Sequence, residues 1–430
     1  MKRSIVWFKT DLRLHDNETL VRAIEQSDEV LPVYCIDENH FKLTDFGFQK
    51  TGSFRAKFLL ESLKDLDANL RKLGSGLIVV KGKPEIELYK LVKEFGVNKI
   101  FAKREVAYEE KLTEQLVEKE VWKLHCSFEN FSTSTLYHAQ DLPFTIKDIP
   151  DVFTNFKRKV EHETTVRSIF QKPIQIKSTA IPIVQFPSLK QLNLEIPVNE
   201  ERAVIRFIGG ESEGLKRLNY YFFETQFISN YKETRNGMMG GDYSSKFSSW
   251  LALGCLSPRE IYYELRKYEI EFGANDSTYW IIFELLWRDY FRFMMKKFRN
   301  KYFLQNRISK TENKTLIPDE TSLQNWMDGK TGKDFIDANM LELKLTGFMS
   351  NRGRQNVASY LCNDLNLDWR YGAAYFEQQL IDYDVCSNWG NWAYLAGVGN
   401  DPRGKRYFNI EKQAQLYDPK NKYVDFWLKK

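Results

Sequence analysis

Short apolar runs alternate with helix-patterned segments over the first 130 residues. Four runs typical of buried strands lie at 5–8, 30–34, 77–80 and 100–102. Apolar positions at helical spacing fill the intervals, at 17–26, 54–73, 84–95 and 109–120. Strands that alternate with helices indicate a parallel sheet covered on both faces. The pattern predicts an α/β domain over residues 1–130.

The pattern changes twice further along the chain. From 131 to 200 periodicity fades and six prolines interrupt the segment, which predicts a long connector with one helix near 153–163. Beyond 201 helical spacing dominates, in runs at 201–208, 214–227, 258–268, 278–297, 332–343 and 354–364. We therefore expect an all-helical domain over 201–430, and an α/β plus all-α fold for the whole chain.

Length and charge restrict the class of protein. A chain of 430 residues exceeds what one hydrophobic core usually supports, which agrees with two domains. The 63 basic and 58 acidic residues nearly cancel, so net charge alone does not indicate nucleic acid. Five scattered cysteines, without metal-ligand spacing, indicate free thiols in a reducing compartment. Because no apolar stretch reaches membrane-spanning length, we expect a soluble, cytoplasmic protein without membrane or metal.

Candidate chemistry concentrates in the C-terminal half, where eight of the ten tryptophans lie beyond residue 249. Segment 382–394 holds two carboxylates, two carboxamides and four large rings. Buried carboxylates and amides need partners, and rings among polar groups suit a planar heteroaromatic ligand. Arg354 can form a buried ion pair with Asp382 or Asp384, and Asn388 can meet a flavin ring nitrogen. A flavin is therefore the leading ligand candidate.

Two further clusters each have a structural and a functional interpretation. Glu284, Trp287 and Arg288 fall at i, i+3 and i+4, so they share one helix face. They can line a polar cavity, or form a surface ion pair beside a core ring. The serine-rich run 240–248 precedes a short helix at 249–253. It can bind phosphate through amides, hydroxyls and a lysine, or serve only as a capping loop.

These motifs resemble, in order, those of the photolyase/cryptochrome family, most closely its DASH-type cryptochromes. The resemblance covers essentially the whole chain. It rests on the segments 6–17, 242–248, 284–288, 329–332, 346–356, 380–394 and 397–403.

The resemblance implies FAD in the helical domain and a folate antenna, 5,10-methenyltetrahydrofolate. The FAD phosphates and ribityl chain would be held by Tyr231, Ser244, Ser245, Lys246, Phe247 and Ser248. The isoalloxazine would be surrounded by Arg288, Asn351, Arg354, Asp382, Asp384 and Asn388. In this family Arg354 would pair with Asp382, and Asn388 would lie by flavin N5. Glu110 is the expected folate contact.

The resemblance also implies an activity, the light-driven repair of cyclobutane pyrimidine dimers by electron transfer from excited reduced FAD. The lesion is flipped out of the strand, most easily in single-stranded DNA. Trp287 and Tyr394 would stack on it, and Glu284 would hydrogen-bond the pyrimidine edge. Arg235 and Arg352 would contact the flanking phosphates, which makes binding weaken as salt rises. A monomeric lyase acting on damaged DNA is therefore expected.

Two residues favour single-stranded substrates. Tyr394 stands where double-strand-acting photolyases carry a second tryptophan, and Gln355 stands where they usually carry methionine.

The five histidines all precede residue 201, outside the helical domain. A 6-4 photolyase needs active-site histidine for proton transfer, so that activity is not expected.

The electron relay of the family maps onto Trp392 and Trp369, although both are also consistent with ordinary core rings. Its outer member should fall near Leu316, where the chain has no tryptophan. Either a nearby tyrosine or Trp326 substitutes, or reduction of oxidised flavin by light is slow. A different class of function stays open, a blue-light receptor or nucleic-acid-binding regulator without significant repair.

Overall fold

The computed structural model describes residues 1–305, 319–400 and 406–429. The expected outer relay position near Leu316 and part of the segment 397–403 lie outside these residues. The N-terminal part contains a five-stranded, fully parallel sheet with strand order β3-β2-β1-β4-β5. Its strands are β1 (Arg3–Phe8), β2 (Glu29–Asp37), β3 (Ile78–Gly82), β4 (Lys99–Lys103) and β5 (Ser127–Phe131).

Helices cover the sheet and make up the C-terminal part. The first five are α1 (Glu18–Gln26), α2 (Ser53–Arg71), α3 (Pro84–Phe95), α4 (Tyr108–Trp122) and α5 (Phe153–Glu163). The next six are α6 (Glu211–Asn219), α7 (Tyr231–Thr234), α8 (Ser248–Ala252), α9 (Pro258–Phe272), α10 (Asp276–Phe298) and α11 (Glu320–Asp328). The last six are α12 (Asp334–Thr346), α13 (Asn351–Ser359), α14 (Trp369–Gln379), α15 (Val385–Leu395), α16 (Ile410–Tyr417) and α17 (Lys422–Leu428). The predicted fold class is confirmed.

The turn after β1 docks the sheet onto the helical part. Arg13 is buried and donates to the carbonyls of His15, Asp16, Thr133 and Gly254. Asp16 forms a bidentate ion pair with Arg259, at 2.5 and 3.0 Å. A Cβ on Gly254 would lie 2.2 Å from the carbonyl oxygen of Thr10, so only glycine allows this approach. The segment 6–17 is thus an interdomain contact.

Two of the differences from the prediction concern the segment 201–208 and strand β5. The helix expected at 201–208 is wrong, because the segment is an extended and turning stretch. Arg202 there lies over the Trp427 ring at 4.7 Å, and Ile205 packs against Gly241, so tertiary contacts override the helical pattern. Strand β5 was not predicted, since its sequence SFENF carries three polar residues, and the strand is only partly buried.

Three further observations concern compartment and metal. All five cysteines are buried and none forms a disulfide. Within the described ranges, no cluster of three His, Cys, Asp or Glu side chains is arranged to hold a metal ion. In the same ranges, no helix combines the length and the apolar character needed to cross a bilayer.

Candidate active site

Helix α10 presents Glu284, Trp287 and Arg288 on one face, as their spacing predicts. Glu284 Oε1 accepts hydrogen bonds from Arg235 Nη1 at 2.6 Å and from Trp280 Nε1 at 3.1 Å. Burial raises the pKa of Glu284, and the charge of Arg235 opposes that rise. The carboxyl group is therefore oriented by two donors before any substrate is present.

The two rings expected to hold a lesion lie side by side. The centroids of Trp287 and Tyr394 are 5.7 Å apart, with ring planes at 74°. Trp287 also stacks on Phe153, with ring centroids 3.7 Å apart and ring planes at 13°. Phe153 begins α5 in the connector, so the connector supports a ring of the site. The sequence predicts that a helix begins at Phe153, but it does not predict the contact between Phe153 and Trp287.

The two expected phosphate-binding arginines are also brought together. Arg352 Nη2 donates to Asn236 Oδ1 at 3.0 Å, and Asn236 directly follows Arg235. Burial lowers the pKa of Arg352, Tyr417 opposes this, and Arg235 lowers it further. Two neighbouring guanidinium groups favour an anionic ligand.

Arg354 and Asp382 form the expected ion pair. Arg354 Nη2 lies 2.8 Å from Asp382 Oδ2, and Arg354 Nε donates to the carbonyl of Met349 at 2.9 Å. The Asp382 side chain is almost completely buried. Among the described residues, its Oδ1 atom has no hydrogen-bond partner. A buried ion pair is costly, which indicates a specific geometric or ligand-binding role.

Asp384 begins α15 and accepts a hydrogen bond from the backbone amide three residues on, at 2.8 Å. Burial alone would raise the pKa of Asp384, but Arg288 and Arg292 outweigh it and leave the pKa lowered. Asp384 is therefore a carboxylate at neutral pH. One turn along the same helix, Asn388 donates through Nδ2 to the carbonyl of Ala373 at 2.9 Å.

The two relay tryptophans lie in separate ring clusters. Trp392 packs edge-on against Phe376 at 5.1 Å and Trp326 at 6.2 Å. Trp369 packs edge-on against Trp389 at 5.8 Å. All four tryptophans are buried. Trp326, named above as a substitute for the outer member, thus contacts Trp392, and the electron relay itself stays a prediction.

The loop before α8 places a lysine in a strained, buried position. Lys246 has a left-handed backbone, with φ of 62°, and its Nζ lies 3.0 Å from the centroid of the Tyr243 ring. Burial lowers the pKa of Lys246 well below its usual value. In the described part of the chain, Nζ has no hydrogen-bond acceptor. Arg217 holds the loop by donating to the carbonyls of Gly241, Ser244 and Ser245.

The other residues predicted to contact FAD differ in their exposure to solvent. Ser245, Phe247 and Tyr231 are buried, Ser244 is half-buried, and Ser248 and Asn351 are exposed. Glu110, the expected folate contact, lies on α4, which packs on the sheet. Burial, with the neighbouring Glu105 charge, raises the pKa of Glu110 to about 7. Its Oε2 atom is buried and has no partner among the described residues.

Comparisons with known proteins identify the family of the chain. Residues 4–176 match the DNA photolyase family, and residues 280–430 match the FAD binding domain of DNA photolyase. The chain belongs to the photolyase/cryptochrome family. Within it, the chain groups with the DASH cryptochromes, since it is 48% identical to cryptochrome DASH of Synechocystis over 99% of its length and 87% of the relative. Cryptochrome DASH of Arabidopsis thaliana is 49% identical, over 99% of this chain and 75% of the relative.

Solved structures give the same placement. The Synechocystis cryptochrome superposes with a TM-score of 0.96 at 47% identity, covering 100% of this chain and 89% of that one. A class III photolyase from Agrobacterium tumefaciens superposes with a TM-score of 0.84 at 26% identity, over 99% and 86% of the two chains. An archaeal photolyase from Sulfolobus tokodaii, solved with two FAD molecules, superposes with a TM-score of 0.80 at 26% identity. The match covers 99% of this chain and 90% of that one.

The residues present fit FAD. Buried polar atoms normally have partners, yet Lys246 Nζ, Asp382 Oδ1 and Ser249 Oγ lack one within the described chain. A dinucleotide could supply the missing partners. Its phosphates suit the unpaired lysine, and its ring system suits the unsatisfied hydrogen-bonding oxygens. The C-terminal part is accordingly an FAD-binding domain, as its family match states.

Some site residues were missed by reasoning from the sequence. Arg292 pairs with Glu105 at 2.8 Å and follows Arg288 by four residues, so helical spacing could have revealed it. Trp280 precedes Glu284 by four residues and could have been found in the same way. Arg217 lies more than 20 residues before the loop that it holds, and no local pattern indicates it.

Proposed function

We propose that this protein repairs cyclobutane pyrimidine dimers in a light-driven reaction, with preference for single-stranded DNA. The observation that carries the proposal is the position of Glu284, which is hydrogen-bonded to the Arg235 guanidinium and shares a face of α10 with Trp287, the ring that contacts Tyr394. This arrangement suits a flipped-out pyrimidine pair with a phosphate beside it. Bound reduced FAD would supply a light-excitable electron donor.

The chain's own residues would bind and orient the substrate. Trp287 and Tyr394 would stack on the bases, at about 1–3 kcal/mol per base. Arg235 and Arg352 would neutralise the flanking phosphates, and Glu284 would hydrogen-bond a pyrimidine edge. Flipping the lesion costs a few kcal/mol, least where no complementary strand must be unpaired. That difference in cost supports the preference for single strands.

We also propose a folate antenna in contact with Glu110. The unpartnered Oε2 atom and raised pKa of Glu110 support a hydrogen bond from a protonated carboxyl group to a pterin-like edge. The Sulfolobus tokodaii photolyase was solved with two FAD molecules, with the implication of a novel light-harvesting cofactor in that protein. A second flavin is therefore the alternative antenna, which chromophore extraction distinguishes.

Repair of matched substrates tests the proposed function. Reduced protein under blue light should restore ultraviolet-irradiated single-stranded oligothymidylate, and should act much less on the same lesion in a duplex. Restoration is followed by the recovery of absorbance as dimers revert to thymines. Negligible restoration of both substrates by flavin-loaded protein would contradict repair and favour a blue-light receptor.

A further inference from the structure

A continuous row of aromatic rings extends from the proposed lesion site along α10. Beyond Trp287, its stacking partner Phe153 contacts Phe283 at 5.4 Å, and Phe283 contacts Trp280 at 4.7 Å. Trp280 precedes Trp287 by seven residues, which places it about 10 Å further along the helix axis. We call Trp287, Phe153, Phe283 and Trp280 the ring row. It is longer than a two-base lesion requires.

Three cations lie near the outer end of the ring row. Arg235 Cζ and Lys232 Nζ lie 5.2 and 5.3 Å from the Trp280 ring centroid. Lys157 Nζ lies 5.8 Å from the Phe283 centroid. Each of these cations has an acidic partner, Glu161 for Lys157, Asp276 for Lys232 and Glu284 for Arg235, which reduces the positive charge. Trp280 and Phe283 are half-buried, and positively charged groups beside such partly accessible rings are typical of a surface that binds single-stranded nucleic acid.

We propose that Trp280 is a stacking site for an unpaired base next to the lesion and thereby determines the preference for single strands. This inference rests on the proposed function. A base in a duplex is already paired and stacked on its neighbours, so it cannot turn onto Trp280. A base in a single strand is free to do so, and its phosphate can approach Lys232 and Arg235. Only the single-stranded substrate gains this contact.

Two variants distinguish base stacking on Trp280 from the hydrogen bond that Trp280 donates to Glu284. Trp280→Ala removes both the ring and the hydrogen bond to Glu284, whereas Trp280→Phe removes the hydrogen bond and keeps a ring. Trp122→Ala removes an exposed tryptophan of the sheet domain and serves as the control. Flavin content and melting temperature verify that each variant is folded.

The substrates are irradiated long oligothymidylate and the isolated thymine-dimer dinucleotide, which has no neighbouring base. We expect Trp280→Ala to bind the long substrate about tenfold more weakly than Trp280→Phe does. The two variants should bind the dinucleotide equally, and Trp122→Ala should match the wild type on both. Equal affinity of the two Trp280 variants for the long substrate would overturn the proposal, as would an equal difference on both substrates.

Binding of unirradiated oligothymidylate separates this inference from the proposed function. If wild-type protein binds it in a Trp280-dependent manner but repairs no dimer, the repair function fails and the stacking site stands. If dimers are repaired and the two Trp280 variants are indistinguishable on long strands, the stacking site fails and the repair function stands.

Discussion

Neighbouring side chains determine both the orientation and the pKa of the Glu284 carboxyl group. Its Oε1 atom accepts from Arg235 and Trp280, so its orientation does not depend on substrate. Burial raises the pKa of Glu284, and the charge of Arg235 opposes that rise. In its carboxylate form, Glu284 can accept a hydrogen bond from a pyrimidine N–H.

Glu284→Ala should therefore lower repair while FAD remains bound. Hydrogen bonds to a charged group contribute about 1.5–3 kcal/mol, which corresponds to roughly a 10- to 100-fold lower repair rate. Quantum yield with single-stranded substrate and the flavin-to-protein ratio are the two measurements. Glu271→Ala changes an exposed glutamate at the end of α9 and should leave both unchanged. Loss of flavin without loss of repair per bound flavin would contradict the assigned role.

The sequence predicted these side chains in part. Helical spacing placed Glu284, Trp287 and Arg288 on one face, because α10 is long and regular. It could not place Arg235 against Glu284, since 49 residues separate them and only tertiary packing joins them. It could not place Phe153 behind Trp287 for the same reason.

At the scale of elements, helix α15 carries Asn388, Trp392 and Tyr394, and its start is determined by Asp384. The carboxylate caps the helix and faces Arg288 and Arg292, which together outweigh burial and lower its pKa. Gly390 allows α15 to approach α10 closely, since a Cβ there would lie 2.4 Å from the Phe291 ring. The cap and the glycine together set where the site's side chains lie.

Two variants of Asp384 separate its capping role from its charge. Asp384→Asn keeps a good capping side chain, whereas Asp384→Ala removes the cap at a cost of about 0.5–2 kcal/mol. We expect Asn to change the flavin midpoint potential with little loss of thermal stability, and Ala to lower the melting temperature as well. Redox titration and thermal unfolding of flavin-loaded protein give the two readings. Equal melting temperatures for the two variants would contradict the capping role.

Elements with strong local signals were predicted well, and those that depend on distant contacts were not. Predicted and observed bounds agree for Pro84–Phe95, where proline opens the helix and glycine follows it. The run 214–227 was expected to be one helix, but α6 ends at Asn219 and a π-helical turn follows at Tyr220–Glu224. The run 354–364 ends in the same way, at Tyr360–Asp364. Apolar periodicity does not distinguish these turns from α-helix.

At the scale of the whole molecule, the sheet and the helices share one hydrophobic core. One face of the sheet, including Val6 and Phe8, belongs to the same cluster as Trp250 and Trp326 of the helical part. The other face, including Ile5 and Trp7, forms a smaller cluster with α3 and α4. Because the larger core is continuous, the two parts should unfold together.

Arg259→Ala tests how strongly the turn after β1 joins the two parts. The substitution leaves Asp16 buried and without its bidentate partner, and breaking a buried pair in this way costs about 3–5 kcal/mol. We expect a clearly lower urea midpoint. Sheet and helix signals from circular dichroism should fall together with flavin release, since both parts share the core. The control is Lys90→Ala, which removes an exposed ion pair with Glu87 worth about 0–1 kcal/mol. Flavin release well before the loss of secondary structure would show instead that the helical part opens independently. The Asp16–Arg259 ion pair would then stabilise the FAD-binding part rather than the whole fold.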